Sequence, residues 1–254
     1  MWIPGWVYRV YGAAVTRRLD AERLPEHVAL VMDGNRRWAR EAGYDNPSEG
    51  HRRGAEHVEE VLGWCERIGV RHVTVYVASS DNIRKRGGEE VDFLMRMIEE
   101  VVTTRLTRQG NPWRLHLAGR LDALPDSTKH ALKTARDATA DRDRQNVTIA
   151  IGYDGHEEIA DAVRSLIEAE TAAGTDIDEL AQRLTPADIA AHIQTGQQPP
   201  PDLIIRTSGE RRLSSFLLWQ SIHSELYFCD VYWPAFRHVD FLRALRSFAQ
   251  RRRE

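Results

Sequence analysis

HVALVMDGNRRW, residues 27–38, joins a run of apolar residues to a polar cluster. Five consecutive apolar residues, 28–32, are enough for a strand that is buried on both faces. The run ends on Asp33, and a glycine, an asparagine and two arginines follow directly. Ligands of parallel sheets bind beyond the carboxyl ends of the strands, so this stretch predicts a buried strand with a ligand site at its end.

Five other segments have the same short, nearly continuous apolar character. With 27–32, the predicted strands are 72–78, 113–119, 146–152, 202–205 and a sixth near 225–228. Helical patterns are found at 51–68, 89–108, 126–141, 155–173, 186–193 and 238–252. This alternation favours an α/β fold with a mainly parallel central sheet of about six strands flanked by helices. We expect a single domain over residues 1–254, because no linker or internal repeat divides the chain.

The composition limits the class of protein. Apolar residues make up 42% and charged residues 29% of the chain, which is typical of a globular protein. The net charge of −3 gives no bias toward nucleic acid, and none is expected as a partner. Cys65 and Cys229 stand far apart without a CxxC pair, so no disulfide framework or zinc site is indicated. Buried thiols in a reducing, cytoplasmic setting are expected.

Residues 1–24 are predicted to form an N-terminal amphipathic extension. Aromatic and aliphatic residues in its first half precede Arg17 and Arg18. The segment lacks the continuous apolar core of a signal peptide, and no stretch of about 20 apolar residues could span a membrane. Two interpretations stay open: a helix that lies on a membrane surface, or a helix packed on its own domain or on a partner subunit.

Polar residues follow four of the predicted strands. Since parallel strands end at the same edge of a sheet, these residues are expected to converge. They are Asp33 to Arg37 after the first strand, Ser79 to Asn82 with Arg84, Lys85 and Arg86 after the second, Tyr153, Asp154 and Gly155 after the fourth, and Arg206 to Arg212 after the fifth.

This edge has the chemistry of a phosphate site. Gly34 lets the backbone approach a ligand closely, and Arg37, Arg206 and Arg212 can bind phosphate oxygens in pairs. Asp33 would repel a phosphate directly. It fits beside phosphates if it holds a cation, most plausibly Mg²⁺, which takes one or two carboxylates together with phosphate oxygens.

Several phosphate enzymes are excluded by missing motifs. The chain has no GxxxxGK[ST] loop, no GxGxxG after the first strand, no HExxH or GxSxG, and no DDxxD. In an aspartyl phosphohydrolase the aspartate attacks phosphorus, and a second acidic residue is expected two positions after that aspartate. Asn35 occupies that position here, which weakens this alternative without removing it.

Three segments resemble the conserved segments of the cis-prenyltransferases, the undecaprenyl diphosphate synthase family: HVALVMDGNRRWA, YVASSDNIRK and DLIIRTSGERRLSSFLLWQSIHSELYF. The similarity covers about residues 25–250 and is nearest to actinobacterial short-chain members, the (2Z,6E)-farnesyl diphosphate synthases. It implies an enzyme that joins an allylic diphosphate to isopentenyl diphosphate with Mg²⁺, a homodimer, and an apolar tunnel for the product.

The resemblance also implies roles for individual residues. Asp33 and Glu225 would hold the metal, and Asp33 and Asn82 would act in catalysis. The implied substrate-binding residues are Gly34, Asn35, Arg36, Arg37, Trp38, His51, Ser79, Ser80, Asp81, Lys85, Arg206, Arg212 and Ser214. Ile83 replaces an aromatic residue of the family pattern, and which of Arg84, Lys85 and Arg86 contacts phosphate stays open.

Val77 stands where long-chain members of this family tend to have alanine. Its extra methyl groups would narrow the tunnel, which favours a short C15 product made from geranyl diphosphate and one isopentenyl diphosphate. A longer-chain polyprenyl diphosphate synthase is the alternative. A non-catalytic regulatory partner is disfavoured, because the chain keeps Asp33, Asn82, Arg206, Arg212 and Glu225.

Overall fold

The computed structural model of the chain describes residues 23–85 and 88–251. Its strands are β1 His27–Val31, β2 His72–Ser79, β3 Trp113–Ala118, β4 Gln145–Tyr153, β5 Leu203–Arg206 and β6 Glu225–Phe228. Its helices are α1 Asn35–Glu41, α2 Ser48–Ile68, α3 Ser80–Lys85, α4 Gly88–Glu100, α5 Asp126–Ala138, α6 Gly155–Ala172, α7 Ile177–Arg183, α8 Pro186–His192 and α9 His238–Arg251. A π-helical segment, Val101–Leu106, continues α4, and short 3₁₀ turns lie at Leu121–Ala123, Gln220–His223 and Trp233–Ala235.

The six strands form one sheet in the order β3-β4-β2-β1-β5-β6, and every neighbouring pair is parallel. The predicted α/β fold with a parallel six-stranded sheet flanked by helices is therefore confirmed. Strand β1 pairs with β2 on one side and with β5 on the other, so the chain adds strands to one side of β1 first and to the opposite side later. The strand order thus reverses at β1, and such a reversal opens a crevice at the carboxyl edge where ligands of α/β sheets bind.

Two hydrophobic cores cover the two faces of the sheet. All five residues of β1 are buried, and they alternate between the faces: Val28 and Leu30 belong to the larger core, Ala29 and Val31 to the smaller one. Helices α2, α4, α5 and α9 pack on the larger core. The continuous apolar run quoted above is therefore a strand with helix or loop on both sides, as burial of both faces requires.

Three short helices, α1, α3 and α7, were not predicted from the sequence. Helix α1 begins directly after the strand β1, and Gly34 makes the connection in a left-handed conformation with φ 100°. Seven residues give too few apolar positions for a helical period to be visible. The predicted helix 89–108 is split, because its last turns change to the π-helical segment at Val101.

Most of the predicted N-terminal extension, residues 1–22, lies outside the described part of the chain. Within residues 23–85 and 88–251, no helix is both long and apolar enough to cross a membrane.

The amino edge of the sheet is fixed by a buried histidine. His27 lies with Nδ1 2.6 Å from the Pro199 carbonyl oxygen and Nε2 2.9 Å from the Thr74 hydroxyl. The Asp202 carboxylate accepts hydrogen bonds from the Glu26 and His27 backbone amides. These contacts tie the polar connection before β5 to the start of β1. Burial lowers the pKa of His27 from 6.5 to about 4.

This shift makes folding stability depend on pH between about 6.5 and 4. In that window the unfolded chain binds a proton at His27 and the folded chain does not, so stability falls as the pH falls. The contribution amounts to about 3 kcal/mol over the window. His27→Gln should flatten the pH profile of urea unfolding, whereas His223→Gln, at an exposed position, should keep the wild-type slope. Equal slopes for wild type and His27→Gln would contradict this assignment.

Candidate active site

A cavity of about 760 Å³ lies at the carboxyl edge of the sheet, where β1, β2, β4 and β5 end. Most of the predicted site residues line it together: Asp33, Gly34, Asn35, Arg36, Arg37, His51, Val77, Ser79, Asp81, Asn82, Arg206, Arg212 and Ser214. The convergence follows from topology, because parallel strands bring the residues after them to one edge.

Asp33 is held at the strand end by hydrogen bonds to two neighbouring loops. Its backbone amide donates to the Thr207 hydroxyl at 3.0 Å, and its carbonyl accepts from Thr207 and from the Trp233 amide. Its carboxylate accepts from the Gly34 amide at 2.7 Å and from Arg206 Nη2 at 2.9 Å. The carboxylate is thereby aimed at the cavity while one third of the side chain stays open to it.

Only a glycine fits at Gly34. Its φ of 100° is a conformation that other residues rarely adopt, and a Cβ there would lie 2.7 Å from the Tyr232 ring and 2.9 Å from the Ser208 Cβ. The close approach of these loops places the start of α1 directly beside the cavity.

Arg206 is the buried cation of the site. Only 4% of the residue is exposed. Its Nη1 donates to the Arg212 carbonyl and to the Ser214 hydroxyl, and its Nη2 donates to Asp33. Its Nε is buried without a hydrogen-bond partner among the described residues. A buried guanidinium with an unsatisfied donor is suited to a multiply charged anion.

Two half-exposed arginines stand at the rim. Arg37 donates from Nη2 to the Ser208 hydroxyl at 2.7 Å, and its guanidinium lies over the Tyr232 ring, 5.6 Å from the centroid. Arg212 forms an ion pair with Glu210 at 2.5 Å, and Arg37 reaches the same carboxylate at 3.5 Å. Exposed ion pairs of this kind are weak, so both arginines can turn to a phosphate at little cost.

The end of β2 forms the opposite wall. The backbone amide of Asn82 donates to the Ser79 hydroxyl at 2.9 Å, and this contact lies at the start of the short helix α3. Asp81 accepts from Lys85 at 2.6 Å and from Arg84 at 2.8 Å. The hydrogen bonds from these two cations lower the pKa of Asp81, so that it stays ionised.

His51 and Arg36 meet at Glu90. His51 is buried on α2, and its Nε2 lies 3.1 Å from Glu90 Oε1. Arg36 Nε lies 3.8 Å from the same oxygen. Glu90 thus joins α1, α2 and α4 beside the cavity and holds the Nε end of the exposed Arg36 guanidinium.

Four predicted site residues do not line the cavity: Trp38, Ser80, Lys85 and Glu225. The ring of Trp38 stacks on Tyr44, and the Ser80 hydroxyl turns away to bond with the Gly152 carbonyl and Glu157. Lys85 extends into solvent from its pair with Asp81. Helix geometry explains Trp38 and Ser80, because residues one position apart point to different sides.

Glu225, which was expected to hold the metal together with Asp33, also lies outside the cavity lining. It begins β6, in register with Leu203, three residues toward the amino edge from the level of Arg206. That spacing corresponds to about 10 Å along the strands. Its carboxylate pairs with Arg251 at 2.5 Å. A single chain therefore does not bring Glu225 to Asp33.

Several lining residues were not assigned to the site from the sequence: Arg40, His156, Ser215 and Trp233, and also Asp154, which was expected at this edge but was given no role. Arg40 follows Arg36 by one helical turn, and recognising helix α1 would have predicted it. Asp154 carried a signal, since it directly follows a strand. Trp233 carried none, because it reaches the site from a distant 3₁₀ turn.

The deeper wall of the cavity is apolar. Met32, Tyr76, Val77, Ala78 and Leu94 line it, and Val77 faces the larger core. A second cavity of about 350 Å³ lies further along the same face, with Val75, Leu62 and Val58 in its lining. The two cavities therefore lie one after the other along β2. The first has a polar mouth at the carboxyl edge of the sheet, and the second does not reach that edge.

Comparison with known proteins agrees with this geometry. A family model described as "Putative undecaprenyl diphosphate synthase" matches residues 31–254. The chain belongs to the cis-prenyltransferase family. It is a prenyltransferase, and its substrates are isopentenyl diphosphate and an allylic diphosphate. The cavity of this family member combines a cationic mouth with an apolar wall.

Curated relatives cover nearly the whole cis-prenyltransferase chain. An "Isoprenyl transferase" of Streptomyces fradiae is 56% identical over 97% of this chain and 96% of its own length. A "(2Z,6E)-farnesyl diphosphate synthase" of Thermobifida fusca is 51% identical over 97% and 96%. The crystal structure of lavandulyl diphosphate synthase from Lavandula x intermedia with dimethylallyl diphosphate has TM-score 0.82 and 31% identity, covering 90% of this chain and 96% of that one.

The site fits a magnesium ion that is completed by substrate. The family generally uses Mg²⁺. Among residues 23–85 and 88–251, no three His, Cys, Asp or Glu side chains converge as a metal cluster. Three carboxylates line the cavity: Asp81 is paired with Arg84 and Lys85, Asp154 is bonded to Ser215 and to the amides of α6, and Asp33 lies among the arginines. A single carboxylate beside arginines, as at Asp33, is the donor set expected where phosphate oxygens supply further ligands.

Proposed function

We propose that this prenyltransferase condenses geranyl diphosphate with one isopentenyl diphosphate to give (2Z,6E)-farnesyl diphosphate. The observation that carries the proposal is the limited apolar lining of the cavity: Val77 and Leu94 line the same cavity as Asp33, whereas Val75 lines a separate one. Burying each CH₂ of a prenyl chain stabilises binding by about 0.8 kcal/mol, so an apolar wall confined to the first cavity favours a short product. Two relatives that carry this name, from Thermobifida fusca and Mycobacterium tuberculosis, support it.

In this proposal, Asp33 holds Mg²⁺, which when bound neutralises charge on the departing diphosphate. Asn35, Arg36 and Arg37 hold the allylic diphosphate at the start of α1, where free amides also face the anion. Arg206, Arg212 and Ser214 hold the diphosphate of isopentenyl diphosphate.

The reaction breaks the allylic C–O bond and joins that carbon to the terminal alkene carbon of isopentenyl diphosphate. The bond leaves a positive charge on C3 of isopentenyl diphosphate, which is neutralised when C2 loses a proton and the new double bond forms between C2 and C3. The departing diphosphate accepts that proton. The arginines stabilise the negative charge that develops on the leaving group, and Asn82 beside Ser79 orients the reacting ends from the β2 wall.

One incubation tests the proposal. The protein is given Mg²⁺, labelled isopentenyl diphosphate and either geranyl or farnesyl diphosphate, and the products are separated by chromatography. We expect a C15 product from geranyl diphosphate. Products of C50 or longer would instead assign a polyprenyl diphosphate synthase, and phosphate release without isopentenyl diphosphate would assign a phosphohydrolase.

Replacing Val77 by alanine should lengthen the product. The change removes two methyl groups from the wall between the first cavity and Val75, which lines the second. Products of C20 and longer should then appear beside C15 on a radio-labelled chromatogram. Val73→Ala is the matched control, because this buried residue of β2 lines neither cavity. An unchanged C15 band in Val77→Ala would remove Val77 as the determinant of chain length.

The longer-chain alternative rests on the second cavity. If the side chains that separate the cavity at Val77 from the cavity at Val75 move apart, the two cavities join into a tunnel able to hold a longer apolar chain. The same chromatogram on the wild-type protein separates the two functions.

The homodimer and the contact of the N-terminal extension with a membrane surface stay predictions. Light scattering on the purified chain tests the first. Sedimentation with anionic lipid vesicles, comparing the full chain with one that begins at residue 23, tests the second.

A further inference from the structure

A strained loop follows Arg206 and forms one side of the cavity. Ser208, Ser214, Ser215 and Leu217 all have positive φ, between 48° and 76°. Such left-handed conformations are unfavourable for residues other than glycine and persist only where the surroundings hold them. The strain is concentrated beside the Arg206 guanidinium, which donates to the Ser214 hydroxyl at 2.8 Å.

The Asp154 carboxylate, which lies outside this loop, holds it through a hydrogen bond. Asp154 lies between the end of β4 and the start of α6, where its Oδ1 accepts from the backbone amides of His156 and Glu157. Its second oxygen, Oδ2, accepts from the Ser215 hydroxyl at 2.7 Å. The Ser215 hydroxyl also lies 2.7 Å from the Ser214 carbonyl, but a carboxylate is the stronger acceptor.

A second contact fastens the same two segments. The Gly155 amide donates to the Ser215 carbonyl at 2.8 Å. A Cβ on Gly155 would lie 2.6 Å from that oxygen, so the backbones approach as closely as glycine allows. The end of β4 and the Ser214–Ser215 turn are thus joined by one side-chain and one backbone hydrogen bond.

We propose that Asp154 is a positioning residue for the isopentenyl diphosphate site: through Ser215 it holds the left-handed Ser214–Ser215 turn that aligns the Ser214 hydroxyl with Arg206. The inference rests on the proposed role of Arg206 and Ser214 in binding that diphosphate. Asp154 itself lines the cavity with a carboxylate, which would repel a diphosphate. Its charge is instead committed to Ser215 and the α6 amides. Burial alone would raise the pKa of Asp154, but these hydrogen bonds hold it below its ordinary value.

The test uses steady-state kinetics for each substrate separately. In Ser215→Ala and Asp154→Ala, the KM for isopentenyl diphosphate should rise about tenfold, the typical effect of losing a hydrogen bond to a charged group. The KM for the allylic diphosphate and kcat should change less than about twofold. Asp154→Asn should keep most of the affinity, because its amide can still bond to Ser215 and its oxygen can still accept from α6.

A double variant and a matched control separate positioning from stability. Asp154→Ala with Ser215→Ala should be no worse than either single variant, since both remove one link. Asp176→Ala removes the equivalent helix cap of α7, away from the cavity, and should lower the melting temperature without changing either KM. If Ser215→Ala leaves the KM for isopentenyl diphosphate unchanged, or raises both KM values equally, the proposal is overturned.

Failure of the proposed function gives a different result. A wild-type protein that forms no prenyl product with any allylic diphosphate would refute the function alone. Titration with inorganic diphosphate in a calorimeter then tests the positioning role by itself. We expect Ser215→Ala to bind it about tenfold more weakly than wild type, and equal affinities would refute the role.

Discussion

Replacing Asp33 by alanine is expected to lower the rate of prenyl elongation by about 10³-fold, the upper range for removal of one group that stabilises transition-state charge. The structure places this carboxylate at the cavity mouth, 2.9 Å from Arg206 and 2.7 Å from the Gly34 amide. Its loss removes the proposed magnesium ligand and leaves the arginines to hold the leaving group alone. Labelled isopentenyl diphosphate incorporation measures the effect.

Asp33→Asn is the control for folding. An asparagine oxygen can still accept from Gly34, so its melting temperature should stay close to that of wild type while elongation falls nearly as far as in Asp33→Ala. The contrast isolates the negative charge from the hydrogen bond. Elongation by Asp33→Asn at more than about one tenth of the wild-type rate would show that this charge does not drive the chemistry.

Replacing Arg206 by lysine is expected to lower kcat/KM for isopentenyl diphosphate by about 10²-fold or more. Lysine keeps a positive charge but not the planar fork that reaches Ser214, the Arg212 carbonyl and Asp33 at once. The buried Nε, which has no hydrogen-bond partner among the described residues, is lost as well. Initial rates at varied isopentenyl diphosphate, with the allylic substrate saturating, measure this constant.

Arg212→Lys provides the comparison. Its side chain is 65% exposed, and within residues 23–85 and 88–251 its ion pair is with Glu210, so a lysine can replace it with a much smaller loss. A result in which Arg206→Lys and Arg212→Lys are equally impaired would mean that burial and the fork of Arg206 add nothing to binding.

The sheet could be predicted from the sequence because its strands are apolar on both faces. Each predicted strand overlaps an observed one, from the quoted stretch at β1 to the short β6. Their parallel arrangement then brought the residues after β1, β2, β4 and β5 to one edge, as expected. Sequence periodicity and one topological rule were sufficient for this part of the site.

What the sequence did not predict depends on side-chain direction and on contacts between distant segments. Trp38 and Ser80 stand next to true lining residues, but a helical turn points them elsewhere. Within one chain Glu225 lies apart from Asp33 because it begins a strand, and the beginning of a parallel strand lies at the opposite edge of the sheet from the cavity. The link from Asp154 to Ser215 joins residues 61 positions apart, and no local pattern reports it.

The proposed binding of the metal by Asp33 can be seen directly in a crystal structure with Mn²⁺ in place of Mg²⁺ and an allylic thiodiphosphate that cannot ionise. We expect an anomalous manganese peak in contact with the Asp33 carboxylate and the diphosphate. We also expect the diphosphate to lie against Arg36 and Arg37, with the prenyl chain along Val77 and Leu94. A metal bound away from Asp33, or a diphosphate outside the arginine-lined mouth, would contradict this binding mode.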